Sequence, residues 1–231
     1  MVSLKLLETR GLGYRYADGQ EALRGIDFAL GAGQTIILLG ANGSGKTTFL
    51  LHLNGLLRGE GEIDVCGLRL SDATLTAIRR KVGLVFQDAD DQLFLPTVIE
   101  DVCFGLLNQG IAPAEALERS QAMLARLRLE ALTNRAPHHL SEGEKRRVAL
   151  AGVLVMQPEI LMLDEPTTAL DPPSRRELIA LLKGLPQAKL IATHDAAFAN
   201  AVGTHAVFFE QGRIVDEGPV AEVIERRGWS D

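Results

Sequence analysis

Gln34-Thr-Ile-Ile-Leu-Leu39-Gly40-Ala41-Asn42-Gly43-Ser44-Gly45-Lys46-Thr47-Thr48 decides how the rest of the chain reads. Thr35 to Leu39 is a short apolar run and predicts a buried strand. Gly40 to Thr47 then fits G-x-x-x-x-G-K-[ST], and a helical pattern follows from Thr47 to Leu57. In that context the glycines let the backbone curl with its N–H groups pointing inward, an anion nest at a helix N-terminus. Lys46 adds positive charge for the β- and γ-phosphates of a nucleotide, and the Thr47 hydroxyl is suited to Mg2+. The plain alternative is an ordinary glycine-rich turn. The strand before it and the helix after it argue against that.

Outward from the loop, short apolar runs alternate with helical patterns, which predicts an α/β fold with a parallel sheet. The clearest strands are Gln34–Leu39, Val82–Phe86, Ile160–Leu163, Lys189–Ala192 and Ala206–Phe209. Leu4–Leu7, Leu12–Tyr16, Leu23–Leu30 and Glu62–Cys66 come without intervening helices and predict a small N-terminal antiparallel sheet. Asp171-Pro172-Pro173 opens a helix with an acidic cap, continued by Leu178, Ile179, Leu182 and Leu185 on one stripe. Pro113 opens another, Ala114 to Leu129, with Leu117, Leu124 and Leu127 at compatible spacing. Helices without a clear strand occupy 87–137. The chain therefore reads as one domain, 1–231, with a nucleotide-binding core over 1–86 and 138–231 and a helical subdomain inserted at 87–137.

Ile160-Leu-Met-Leu163-Asp164-Glu165 is an apolar strand ending in two carboxylates. In an open parallel sheet ligands gather at the carboxyl ends of the strands. Asp164 is then placed to hold Mg2+ through its water shell, and Glu165 to polarise a water for attack on the γ-phosphate. Alone, the pair could be two solvated acids where a strand enters a loop. His194 follows the strand Lys189–Ala192 and is expected to contact the γ-phosphate, whereas His52, His138, His139 and His205 need only a packing or surface role. Leu140-Ser141-Glu142-Gly143-Glu144 precedes a helical run through Leu154. Ser141 with Glu144 is a capping box, S-x-x-E, which needs no function. The same serine and glycine at a helix start can also present donors to an anion. That anion would be a γ-phosphate bound by another subunit, since this chain's own loop already cradles its nucleotide.

Composition narrows the classes. The 231 residues are 46% hydrophobic and 23% charged, enough to bury a core, and 24 basic against 30 acidic residues give a net charge of −6. A nucleic-acid binder held by phosphates is usually basic, so no nucleic-acid partner is expected. Cys66 and Cys103, with no C-x-x-C, form neither a disulfide framework nor a metal set and suit a reducing cytosol. Met1 to Arg10 carries no signal-peptide pattern, and no apolar segment is long enough to span a bilayer.

The order phosphate loop, Gln87 after a strand, Leu140-Ser141-x-Gly143-x, Asp164-Glu165, Leu170-Asp171 and His194 resembles the ATP-binding cassette ATPases over essentially the whole chain. The resemblance implies a P-loop ATPase working as a head-to-tail dimer. Two MgATP would lie between one subunit's loop (Gly40, Ala41, Asn42, Gly43, Ser44, Gly45, Lys46, Thr47, Thr48) and the other's Ser141, Gly143 and Glu144. It implies that Gln87 reaches the metal and the attacking water alongside Thr47 and Asp164, and that Ala169-Leu170-Asp171 runs along the dimer seam. It also implies an N-terminal aromatic on adenine, Tyr16 in preference to Tyr14. Such stacking tolerates any base. The usual Leu-Ser-Gly-Gly-Gln signature is altered at Glu142 and Glu144. Two carboxylates near a polyphosphate are expected to weaken affinity on that side.

Phe86-Gln87-Asp-Ala-Asp-Asp-Gln92-Leu-Phe-Leu-Pro96-Thr97-Val98-Ile-Glu100-Asp101-Val102 is similar, more narrowly, to ATPases of energy-coupling-factor importers, which drive uptake of B-vitamins such as biotin or of cobalt and nickel. In that family the segment receives coupling helices of a transmembrane partner. By itself it would be an amphipathic helix with Leu93, Phe94 and Val98 inward. The resemblance implies a peripheral subunit on the cytoplasmic face of the cell membrane, paired with a second ATPase copy, a transmembrane coupling subunit and a substrate-binding membrane subunit. With Asp231 as its last residue, the sequence is expected to lack the C-terminal extension many members carry. A different ABC transporter, or a soluble cassette acting on nucleic acid or ribosomes, is the alternative. The interval from Thr47 to Leu140 lacks the heptads of chromosome-maintenance members, and there is one cassette where translation-type members have two. No N-K-x-D motif marks a GTPase.

Overall fold

A computed structural model describes residues 5–229. Leu4, the start of the strand expected at Leu4–Leu7, lies outside the described residues, as do Met1 to Ser3, Ser230 and Asp231. β1 (Lys5–Arg15) and β2 (Glu21–Gly31) pair antiparallel. Leu4–Leu7 and Leu12–Tyr16 were expected as two strands; they belong to one. The pairing slips between Thr9 and Leu12, where Gly11 takes φ 60° and opens a bulge. The extra residue reverses the alternation, which is why Leu7 and Leu12 are both buried.

β3 (Thr35–Leu39) and α1 (Lys46–Leu53) flank the phosphate loop. β4 (Glu60–Val65) joins the first sheet beside β1 and ends because Cys66 turns with φ 48°, one residue short of the expected end. A short β5 (Leu68–Arg69), α2 (Leu75–Lys81) and β6 (Val82–Val85) follow. Among the described residues, 87–139 holds helices and no strand, chiefly α3 (Val98–Asn108) and α4 (Pro113–Arg126). α4 stops at Leu127, with Arg128 in the left-handed region at φ 58°, so the helix expected to reach Leu129 is shorter. Its buried face carries Ala116, Ser120 and Leu124, while Leu117, expected on that stripe, is 43% exposed. Packing against α3 and α5 (Glu142–Leu154) turned the face by one residue.

β7 (Ile160–Asp164), α6 (Pro172–Gly184), β8 (Ala188–Ala192), α7 (Ala196–Val202), β9 (His205–Glu210), β10 (Arg213–Pro219) and α8 (Val220–Arg227) complete the fold. The main sheet runs β10-β9-β3-β8-β7-β6, parallel except for the edge strand β10. The other runs β2-β1-β4-β5 and is antiparallel. Every residue of β3, β7 and β8 is buried, as expected of parallel strands covered on both faces. Ile37, Leu39, Leu161, Leu163 and Ile191 join the core on the side of α3 to α8. Their neighbours Ile36, Leu38, Ile160, Met162 and Leu190 join the core beneath α1 and the antiparallel sheet. Each such aliphatic side chain contributes about 1.5–3 kcal/mol by leaving water, so the strand ends are rigidly held.

Candidate functional site

In space the main sheet reads β3, β8, β7, β6, and each strand delivers one piece of chemistry at its carboxyl end. β3 leads into the Gly40–Thr47 loop, β8 into His194, β7 into Asp164 and Glu165, and β6 into Gln87. A cavity of about 350 Å³ is bordered by Tyr16, Asn42, Gly43, Gly45, Lys46, Thr47, Thr48, Gln87 and Glu165, with Gln20 and Ala22. A second, about 680 Å³, shares Thr47 and Gln87 with it and adds Asp164, Glu142, Arg146, Thr168 and Ala169.

The loop's glycines are demanded by close approach. A Cβ on Gly40, at φ 139°, would sit 2.2 Å from the Phe209 carbonyl oxygen, and one on Gly45, at φ 111°, 2.6 Å from that of Ala22. Ser44 is buried in the same turn, its backbone N–H donating to Ala41 O at 3.2 Å. Lys46 Nζ donates to Gly40 O at 2.6 Å and Ala41 O at 3.2 Å, and lies 3.8 Å from Glu165 Oε1. Burial holds its ammonium below the usual lysine range, opposed by the charges of Glu165 and Asp164. An arriving phosphate competes with those two carbonyls for the ammonium. Burial likewise pushes the Asp164 carboxyl up, against a hydrogen bond from Thr47. Asp164 Oδ1 is buried without a hydrogen-bond partner, an uncompensated oxygen that a divalent cation beside the Thr47 hydroxyl would satisfy.

Glu165 sits in the left-handed region at φ 43°, a conformation costing a non-glycine residue about 1–3 kcal/mol. The strain is held from both sides. Its N–H donates to Ala192 O at 2.8 Å, and its carbonyl accepts from Arg146 at 3.2 Å. His194 meets Glu165 Oε2 twice, by Nδ1 at 2.9 Å and by its backbone N–H at 3.3 Å, while its ring stays 55% exposed. Tyr16 Oη is 2.9 Å from Thr48 Oγ1, facing the loop; Tyr14 packs edge-on to the buried His52 at 4.6 Å.

Ser141, Gly143, Glu144 and Asp171 border neither cavity. Ser141 caps α5, with its N–H and Oγ each 2.8 Å from Glu144 Oε2. Asp171 caps α6 by accepting from Ser174 N at 2.9 Å, and a Cβ on Gly143 would lie 2.9 Å from Ser174 Oγ. The two helix starts therefore lie side by side, with Ser141 and Asp171 exposed. Phe94, expected to pack inward with Leu93 and Val98, is 62% exposed, because α3 begins only at Val98 and the segment before it bends around a turn at Ala89–Asp91.

Sequence reasoning passed over the role of Arg146. Buried on α5, it donates to Gln87 O at 2.9 Å, Glu165 O at 3.2 Å and Thr168 O at 3.4 Å, so one guanidinium ties two of the sheet's functional ends to the signature helix. The adjacency to the Leu-Ser-x-Gly-x motif was its only signal, since none of those partners is local.

Comparison with known proteins bears on the family and the fold. The sequence profile described as ABC transporter matches residues 23–168. The energy-coupling factor transporter ATP-binding protein EcfA of Methanosphaera stadtmanae is 43% identical, over 94% of this chain and 81% of its own. Among solved structures, cbiO1 from Clostridium perfringens, part of the ABC transporter complex cbiONQ, superposes with a TM-score of 0.84 at 36% identity, covering 96% of this chain and 92% of that one. The ATP-binding cassette MJ0796, a dimer in a post-hydrolysis state bound to ADP and Pi, gives 0.85 at 29% identity, covering 93% and 98%. A phosphate loop at the switch point of this sheet, matched across most of the chain in sequence and backbone, has one reading: the chain belongs to the ABC transporter family, as an ATP-binding, ATP-hydrolysing subunit.

Proposed function

We propose that the chain is the peripheral motor of an energy-coupling-factor-type importer, at the cytoplasmic face of the cell membrane. There it would spend ATP to bring in a vitamin such as biotin or a transition-metal ion such as cobalt or nickel. Two copies stand head to tail. The amides of Gly40–Thr48 and Lys46 hold the phosphates of each ATP, Tyr16 lies on the adenine, and the partner copy brings Ser141, Gly143 and Glu144 to the γ-phosphate, with Asp171 along the seam. Thr47, Asp164 and Gln87 are the residues fit for Mg2+; when bound, the cation offsets phosphate charge that the protein alone leaves uncovered. Glu165 takes a proton from the attacking water, and His194 holds the charge that develops on the γ-phosphate.

The observation that carries this reading is the continuity of one segment. It leaves the nucleotide cavity at Gln87 and reaches the surface as an apolar patch, with Phe94 62%, Phe104 41% and Leu107 44% exposed, the two phenyl rings 5.1 Å apart and edge-on. Patches of that kind mark partner surfaces. No helix among the described residues is long and apolar enough to cross a membrane, so the transmembrane work falls to such a partner. The likeness to EcfA and cbiO1 supports the importer class.

The test is Glu165→Gln. Turnover is expected to fall roughly 10²–10⁴-fold, the loss of a general base, while ATP now accumulates a closed dimer visible by light scattering. Retained hydrolysis, or a protein that stays monomeric with ATP, would overturn the scheme. Purification with a polytopic membrane protein supports the importer; purification with ribosomes or DNA opposes it.

A further inference from the structure

α8 ends at Arg227, and Gly228 turns the chain with φ 57°. The backbone N–H of Trp229 then returns to Ile224 O at 3.0 Å, which folds the indole back over the sheet. The ring lies edge-on to Phe208 of β9 at 5.2 Å between centroids, and Arg227 sits 5.2 Å over the same Phe208. Its one polar atom has a defined partner: Nε1–H donates to the backbone carbonyl of His194 at 2.9 Å. His194 is thus pinned at three points. Glu165 Oε2 takes its backbone N–H and its Nδ1, and Trp229 takes its carbonyl. The next residue, Asp195, is anchored separately, capping α7 through Phe198 N at 2.7 Å and pairing with Arg175 at 2.6 Å.

A donor on the His194 carbonyl fixes the following peptide plane, and with it the direction in which the imidazole leaves the backbone. We propose that Trp229 is a positioning residue for ATP hydrolysis: by holding the His194 carbonyl it aims the imidazole at Glu165 and the γ-phosphate, so that displacement of the end of α8 is transmitted to the hydrolytic site. This rests on the reading of His194 as the γ-phosphate contact. It adds a control that no neighbouring motif encodes. Trp229 is also the chain's single tryptophan, so its fluorescence reports the same contact.

Trp229→Phe keeps an aromatic ring beside Phe208 and removes the donor, with only part of the indole's packing area. In the full chain, kcat is expected to fall roughly 3- to 10-fold, the worth of one neutral hydrogen bond, with KM for ATP changed less than about twofold. In ¹³C-histidine NMR the His194 ring signal, identified by its loss in His194→Ala, should move while those of His52 and His205 stay in place. Trp229→Ala should move the same signal and also lower Tm, because it removes the packing too. If Trp229→Phe leaves both turnover and the His194 signal at their parental values, the inference is overturned. It is equally overturned if every histidine signal shifts and Tm drops, since the role is then merely structural. His194→Ala separates the two layers. If that variant hydrolyses ATP at the parental rate, the switch reading of His194 fails; if it is inactive while Trp229→Phe is unaltered, only the role of Trp229 fails.

Discussion

Glu144 serves the fold by closing the cap of α5. Its carboxylate accepts both the N–H and the hydroxyl of Ser141, and its own N–H reaches Ser141 Oγ at 3.4 Å. The hydroxyl proton that a partner's γ-phosphate would take is therefore already given to an anion. Bonds from Ser141 hold the Glu144 carboxyl below the ordinary glutamate range. Because the folded value is the lower one, the box's stabilisation is present above the ordinary value and is lost as pH falls through the lowered one. Glu144→Gln keeps an acceptor for the cap and removes the charge. Glu142→Gly removes the neighbouring carboxylate, which pairs with Lys145 at 3.1 Å. Each is expected to raise ATP turnover roughly 2- to 5-fold at low salt, the scale of an exposed charge contact. Unchanged or slower turnover would show that these acids do not oppose phosphate binding.

At the scale of elements, α5 is linked to the strand ends through Arg146, which among the described residues binds three backbone carbonyls and no carboxylate. Burial holds its guanidinium below the usual arginine range, with the charges of Glu142 and Asp88 acting the other way. Arg146→Met fills much of the volume but strands the carbonyls of Gln87, Glu165 and Thr168, each costing about 1–3 kcal/mol if left unpaired. Turnover should fall at least about tenfold, with nucleotide affinity much less affected because Lys46 and the loop are untouched. Arg146→Lys should rescue poorly, since a single ammonium cannot span three divergent acceptors. Equal loss of nucleotide binding and turnover, followed by titration calorimetry, would instead make Arg146 part of the binding site.

Across the whole molecule, the nucleotide end and the apolar patch are joined by one continuous segment from Gln87 to Leu107. Replacing Phe94 and Phe104 together by serine should abolish association with a membrane partner, as loss of central aromatic anchors does, while ATPase activity of the isolated chain stays within about twofold. The measurement is co-purification from membranes beside a turnover assay. Partner binding that survives the double replacement would move the docking surface elsewhere on the cassette.

What the amino-acid order determined by itself is the chemistry of near neighbours. The loop from Gly40 to Thr47, the acids after Leu163 and the Ser141–Glu144 box are contiguous, so spacing alone declares them. Buried parallel strands such as Thr35–Leu39 are equally visible, because both faces are apolar. Only the tertiary structure decided the rest. The bulge at Gly11 merges two expected strands, and packing selects Ala116 over Leu117 on α4. Arg146 and Trp229 find their carbonyls far along the chain, at Gln87 and His194. The reason is physical: a local motif carries its partners within a turn or two, whereas a buried donor takes whichever backbone acceptor the sheet order brings beside it. That order, β3-β8-β7-β6, exists only once the two cores have closed on the sheet.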